Sequence, residues 1–112
     1  MKRYASHYIY LAGYGFLKGH AIELNEKHGV CRIFPFTGEV ESTEWLPGVI
    51  ALFSDNNKTE IIKAEGMIHE IPSAFSINNL EKTSIFYKAY IYTPFNFTSM
   101  QPYDGTQHRL LL

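Results

Sequence analysis

Turn-forming residues recur along this chain at intervals too short for long helices, and they separate short apolar runs rich in β-branched and aromatic residues. Eight Tyr and eight Phe among 112 residues indicate that aromatic side chains supply much of the core area. We therefore predict an all-β fold, residues 1–112 forming one small β-sandwich or partly open barrel with at most one short helix. The turn signals fall at 13–15, 27–29, 37–38, 55–57, 66, 78–79 and 104–105.

The clearest local unit is a hairpin over residues 16–36, with a four-residue loop at 26–29. One face of this hairpin is then apolar and the other carries an opposite-charge pair. A register slip of one residue would move every side chain of a strand to the wrong face. The predicted cross-strand pairs are Ile22 with Ile33, Leu24 with Cys31, Glu23 with Arg32, and His20 with Pro35.

Further strands are predicted downstream. The continuous apolar run 49–53 is typical of a strand buried on both faces. Shorter strands are expected at 59–64 and 67–71, and the only helical piece at 73–82.

The strand predicted at 83–93 has two apolar faces. The first is typical of core, whereas the second is too aromatic for a simple solvated face, so we expect it to be covered by another segment, a partner chain or a ligand. The first face carries Ile85, Tyr87, Ala89 and Ile91; the second carries Phe86, Lys88, Tyr90 and Tyr92.

Charge and cysteine content exclude several classes of protein. The formal net charge is −1, and no basic cluster is longer than Lys2-Arg3, so nucleic acid or an anionic membrane is not an expected partner. Ser6 and His7 interrupt the apolar stretch that follows Lys2-Arg3, which argues against a secretory signal. With one cysteine, Cys31, no internal disulfide is possible, and we expect a cytoplasmic protein.

The polar residues form no complete catalytic or metal-binding motif. The five histidines (His7, His20, His28, His69 and His108) lie more than four residues apart, so we expect no metal and no cofactor. Cys31 is interpreted as a small core residue rather than a nucleophile, and Glu39 and Glu41 as part of a solvated connection rather than an acid–base pair. No catalytic residue is predicted, and we do not expect an enzyme.

The order of features over residues 16–53 resembles a known domain. Ile22-Glu23-Leu24, the stretch from Gly29 to Pro35, and Trp45-Leu46-Pro47-Gly48 are similar to the small N-terminal β-sandwich, or composite, domain of amidohydrolase-superfamily enzymes such as cytosine deaminases and dihydroorotases. That family continues into an Asp-x-His-x-His metal motif, whereas Leu52 is followed here by Phe53-Ser54-Asp55-Asn56-Asn57. The resemblance therefore implies a freestanding domain without the catalytic barrel, which needs about 200 residues or more.

These observations favour a non-catalytic binding or accessory module that self-associates or attaches to another protein. Trp45 is either an interface anchor or a lid over the end of the sandwich. The apolar C-terminal leucines are expected to dock on their own domain or across a subunit boundary. The candidate interface or ligand surface comprises Trp45, Phe86, Tyr90, Tyr92, Leu110, Leu111 and Leu112.

Two alternatives remain open. The first is a small enzyme whose site gathers distant residues, His20, Glu41, His69 and Tyr90, into one pocket. The second is an accessory subunit of a larger amidohydrolase-like complex.

Overall fold

The computed structural model describes residues 2–38, 42–54, 62–63, 65–76, 80 and 86–112. These residues contain ten strands, and described turns at 12–14, 26–27 and 97–100 join three pairs of them. The strands are β1 (Lys2–Ala5), β2 (Tyr8–Leu11), β3 (Gly15–Lys18), β4 (His20–Leu24), β5 (Val30–Pro35), β6 (Thr43–Trp45), β7 (Val49–Ser54), β8 (Met67–Ile68), β9 (Tyr87–Asn96) and β10 (Gln101–Leu110).

The strands form two sheets, which confirms the predicted all-β sandwich. The four-stranded sheet has the order β5-β4-β1-β6, and the six-stranded sheet has the order β10-β9-β7-β2-β3-β8. Both sheets are mixed, because β1 lies parallel to β6 and β2 lies parallel to β7 while the hairpin neighbours are antiparallel.

Two segments of the chain pass together from one sheet to the other. The first runs through β1 into β2, and the second runs through β6 into β7. Their parallel pairing continues on both sides of the passage, with Ala5 opposite Trp45 before it and Tyr8 opposite Val49 after it. We call this passage, residues 6–7 and 46–48, the sheet crossing.

The main core contains aliphatic side chains contributed by both sheets. Because side chains alternate across a strand, Ile9 and Leu11 of β2 join this core while Tyr8 and Tyr10 point to the opposite face. The run 49–53 is buried throughout, as predicted, since β7 has β2 on one side and β9 on the other. Other members of the core are Ile22, Leu24, Ile33, Ile50, Leu52, Ala89, Ile91 and Leu111.

The predicted hairpin is confirmed in its register but not in its extent or at its turn end. Ile22 pairs with Ile33, Glu23 with Arg32 and His20 with Pro35, as expected. Leu24 pairs with Val30 rather than Cys31, because the register shifts between Glu23 and Leu24. The first predicted strand is also divided at Gly19, which separates β3 in the six-stranded sheet from β4 in the four-stranded sheet.

The register shift changes the environment of Cys31. The prediction of a core residue opposite Leu24 is wrong, since Cys31 is only half-buried. Its Sγ donates a hydrogen bond to the main-chain oxygen of Glu23 at 3.4 Å and lies 3.7 Å from Oε2 of the same residue. Glu23 itself is buried and paired with Arg3 Nε at 2.8 Å.

The shorter elements agree with the predictions in part. The strand expected at 67–71 is limited to Met67–Ile68. Of the helical piece expected at 73–82, residues 77–79 and 81–82 lie outside the described ranges, and Ser73–Phe75 forms a 3₁₀ turn. Most of the strand expected at 59–64 lies outside the described residues, and Ile62 and Lys63 are not in a strand. Across the described ranges, no helix combines the length and apolar character that crossing a membrane requires.

The last hairpin differs most from the prediction. The strand expected at 83–93 is observed over Tyr87–Asn96, with residues 83–85 outside the described ranges, and Asp104-Gly105, interpreted as a turn, lies inside β10. Because β7 pairs only with Tyr87 to Tyr92 of β9, residues 93–107 extend beyond it as a two-stranded arm.

The arm packs against β2 and β3 on the outer surface of the six-stranded sheet. Its Phe95 ring lies 6.1 Å from the Phe16 ring, and Phe97 contacts Tyr8 at 5.8 Å between ring centroids. This aromatic side of the sheet is therefore covered by another segment of the same chain. We call it the outer aromatic face; its buried members are Tyr10, Phe16, Phe53, Tyr92 and Phe95.

Candidate functional site

A cleft of about 330 Å³ opens beside the sheet crossing. Its size falls in the range of small-ligand pockets, and it lies where elements from both sheets meet. We call it the crossing cleft; its lining residues are Ser6, His7, Lys18, Gly19, Phe36, Thr37, Gly38 and Trp45.

Two hydrogen bonds hold the crossing segments together beneath the cleft. The buried Ser6 hydroxyl donates to the Gly48 carbonyl oxygen, and the Gly48 N–H donates to His7 Nδ1 at 3.2 Å. Gly48 has φ of 120°, and a Cβ at this position would collide with the carbonyl oxygen of Tyr92. Glycine is therefore required here, and the Leu-Pro-Gly segment is structural.

The bond from Gly48 fixes the chemical character of His7. Because Nδ1 accepts a hydrogen bond from the Gly48 N–H, the neutral imidazole carries its own hydrogen on Nε2. The ring is exposed and lies between Trp45 and Phe97, with centroid distances of 5.2 and 4.6 Å. His7 thus offers a fixed N–H donor between two aromatic side chains.

Trp45 and Phe36 form the apolar wall of the cleft. Their rings are stacked, with centroids 6.2 Å apart and planes inclined by 22°. Trp45 is 49% exposed although it sits against Phe36 and His7. A half-exposed Trp supported by other rings is the kind of side chain that dominates protein interfaces.

The polar groups at the cleft are mainly hydrogen-bond donors. Lys18 is exposed and is the single charged residue in the described lining. The His7 Nε2–H and the Trp45 indole N–H are further donors, whereas the Ser6 hydroxyl is already engaged with Gly48. The cleft is suited to an apolar group that carries an acceptor or a negative charge.

The sequence-predicted surface residues do not form one surface. Trp45 alone lies in the crossing cleft. Tyr92 is 5% exposed, and Tyr90 packs against Phe53 and His108. Phe86 lies against Gly29, where an added Cβ would overlap its ring.

The C-terminal leucines are divided among three environments. Leu111 is 1% exposed in the main core, and its N–H donates to the Ala89 carbonyl at 2.8 Å. Leu110 is half-buried at the end of β10, and Leu112 is exposed while its main-chain oxygen accepts a hydrogen bond from the Tyr4 hydroxyl at 2.8 Å. Of the two alternatives for this segment, docking on its own domain is the one observed.

The residues of the alternative enzyme site are on separate elements. His20 begins β4 in the four-stranded sheet, with Nδ1 2.9 Å from the Lys18 carbonyl oxygen. Tyr90 belongs to the six-stranded sheet, His69 is exposed after β8, and Glu41, like Glu39, lies outside the described residues. Within the described ranges, no three His, Cys, Asp or Glu side chains group as a metal ion would require.

A second polar cluster lies at the outer aromatic face. The buried Tyr10 hydroxyl accepts the Lys63 N–H at 3.2 Å and hydrogen-bonds the Glu65 side chain. Burial raises the pKa of Tyr10; the Lys63 N–H opposes this, and the Glu65 carboxylate adds to it. Burial likewise raises the pKa of Tyr4 and Tyr87.

Sequence reasoning identified Trp45 but missed the residues that surround it. His7, Lys18 and Phe36 come from three other segments, which the pairing of β1 with β6 and β4, of β4 with β5 and of β2 with β3 brings to Trp45. The available signals were the interruption of the first apolar stretch at Ser6-His7 and the position of Trp45 immediately before Leu-Pro-Gly.

Comparison with descriptions of protein families, with curated proteins and with solved structures found no match to this chain. The resemblance of residues 16–53 to the amidohydrolase composite domain stays a prediction.

Proposed function

We propose that this protein is a non-catalytic module that binds protein chains through the crossing cleft. The observation that supports the proposal is the half-exposed Trp45, stacked on Phe36 and flanked by the donor groups of His7 and Lys18. Covering the exposed half of a Trp side chain contributes roughly 2–3 kcal/mol at about 25 cal/mol per Å². One such anchor with a polar rim is the usual arrangement of a protein-binding hot spot.

The cleft's chemistry favours binding over catalysis. A catalytic site needs a nucleophile or base within hydrogen-bond reach of a second polar group. Here the Ser6 hydroxyl is engaged with a main-chain oxygen, and His7 uses Nδ1 to accept from Gly48. The Ser6 hydroxyl and His7 Nδ1 therefore stabilise the sheet crossing. The aromatic wall and the N–H donors of the cleft are left to bind a partner.

The proposal extends to the cell compartment. We place the protein in the cytoplasm, where thiols stay reduced, because the sequence has one cysteine, Cys31, and so can form no internal disulfide.

Selection from a displayed library of random peptides tests the proposal. Enriched peptides should bind the wild-type protein and lose at least about tenfold in affinity with Trp45→Ala, the usual size of a hot-spot effect. Tyr14→Ala is the matched control, because Tyr14 is similarly exposed at 45% but lies outside the cleft. Failure to enrich any peptide, or equal binding to wild type and Trp45→Ala, would overturn the proposal.

A further inference from the structure

The bulge in β10 presents an aromatic and an acidic side chain together. The pairing of β10 with β9 is interrupted between Pro102 and Gln107. Within the interruption Tyr103 is 49% exposed and Asp104 is exposed. We call residues 103–106 the β10 bulge.

The backbone of the β10 bulge is held in place by one side chain. Thr106 Oγ1 accepts the Tyr103 N–H at 2.8 Å and donates to the Pro94 carbonyl oxygen at 2.6 Å. Tyr103 and Asp104 are thus projected from an ordered backbone, so less conformational entropy is lost when they are bound.

The β10 bulge matches the crossing cleft in chemistry. The cleft offers an aromatic wall with Lys18 and the His7 N–H beside it, and the bulge offers a ring followed directly by a carboxylate. Apart from Glu44-Trp45, of which Trp45 alone lines the cleft, Tyr103-Asp104 is the only place in the sequence where an aromatic and an acidic residue are adjacent.

We propose that the protein forms a two-fold dimer in which the β10 bulge of each copy occupies the crossing cleft of the other. The inference rests on the proposed function and names the partner as a second copy of this chain. Tyr103 packs on the Trp45 and Phe36 wall, and Asp104 pairs with Lys18. Because each copy carries one bulge and one cleft, a two-fold arrangement satisfies both contacts and closes the assembly.

Charge reversal across the interface tests the dimer. Light scattering coupled to size-exclusion chromatography, from about 5 to 500 µM, should show wild-type protein passing from monomer to dimer, as expected of a small interface. Lys18→Glu and Asp104→Lys should each weaken dimerisation at least about tenfold, because each places like charges together. The double variant Lys18→Glu with Asp104→Lys should recover the dimer, and Lys27→Glu, in the β4–β5 turn, should leave it unchanged.

The sole tryptophan supplies a second readout. Since Trp45 lines the cleft, its emission should shift to shorter wavelength with rising concentration in the wild type and the double variant, but not in the single reversals. A wild-type monomer at every concentration, a mass growing beyond twice the monomer, or a double variant that stays monomeric would overturn the dimer. If library peptides still require Trp45 in that case, the binding function stands and only its partner is wrong.

Discussion

Two groups of aromatic side chains sit on the outer surfaces of this sandwich, and they differ in what covers them. In the outer aromatic face, Phe16 is fully buried and Phe95 of the arm packs against it. In the crossing cleft, the Trp45 and Phe36 rings lie at a similar centroid distance, 6.2 Å against 6.1 Å, but Trp45 keeps half of its surface exposed. Ring contacts alone therefore do not distinguish a core from a binding surface.

The chain's own topology explains the difference. The arm of residues 93–107 extends past β7 and folds back over β2 and β3, where Phe97 is its outermost ring contact, on His7 and Tyr8. The cleft is lined by both His7 and Phe36, and Trp45 contacts each of them. Ring contacts therefore continue from the outer aromatic face through the exposed Phe97 and His7 to Trp45.

Removing a ring from the covered group should have the largest effect on stability. Phe16→Ala should lower the free energy of unfolding by about 3–5 kcal/mol, because it empties a fully buried site beside Tyr10 and Phe95. Urea denaturation measures this, with Phe97→Ala as the matched control at a cost of about 1–2 kcal/mol, since Phe97 is 37% exposed. Equal costs for the two variants would contradict the distinction between a covered and an exposed ring. If Phe16→Ala does not fold, Phe16→Leu, with an expected cost of about 1 kcal/mol, tests the same buried position.

Substitution at the sheet crossing, which lies between the two groups, should have the next largest effect on stability. Gly48→Ala should cost about 2–4 kcal/mol, because its positive φ is unfavourable for alanine and its Cβ would meet the Tyr92 carbonyl. Gly38→Ala is the control: its φ of 91° is also positive, but nothing lies within 4 Å of an added Cβ, so about 1 kcal/mol is expected. The same urea titration compares them, and equal losses would show that the crossing does not constrain position 48.

Alkaline pH should act on the covered group through Tyr10. Its folded pKa is raised above the unfolded value, so the stabilisation by the neutral phenol is complete below about pH 10 and is lost as pH rises through the folded pKa. Tyr10→Phe should make the alkaline decline in unfolding free energy shallower, at a cost of about 1 kcal/mol near neutral pH for the lost hydrogen bonds. Tyr87→Phe should reduce the decline in the same direction. Unfolding curves from pH 7 to about 11 that fall equally in wild type and both variants would contradict this account.

Local sequence pattern predicted part of the fold, but it did not predict which residues meet at the crossing cleft. The pairing of Ile22 with Ile33 follows from residues close in sequence around one turn. The pairing of Arg3 with Thr43, which brings Trp45 to Ser6 and His7, is non-local and leaves no periodic signal in either segment. Sequence reasoning could therefore single out Trp45 but not its neighbours.

Strand β10 shows a second limit of pattern reading. Its residues are polar and mostly exposed, and Asp104-Gly105 is typical of a turn, so no alternation predicts a strand. It is a strand because β9 pairs with it on one side, and the Asp-Gly pair is accommodated in the bulge. Cys31 was placed wrongly for a related reason, since the register shift at Leu24 moved it relative to the partner strand.

Trp45→Ala tests most directly whether the crossing cleft is a binding surface. The variant should lower the free energy of unfolding by about 2–3 kcal/mol, the contribution of the half of the side chain that is already covered, and it should abolish the concentration-dependent gain in mass. Urea denaturation and light scattering on the same preparations give both quantities. A loss of stability with association unchanged would contradict the account, since Trp45 would then act only as a structural lid.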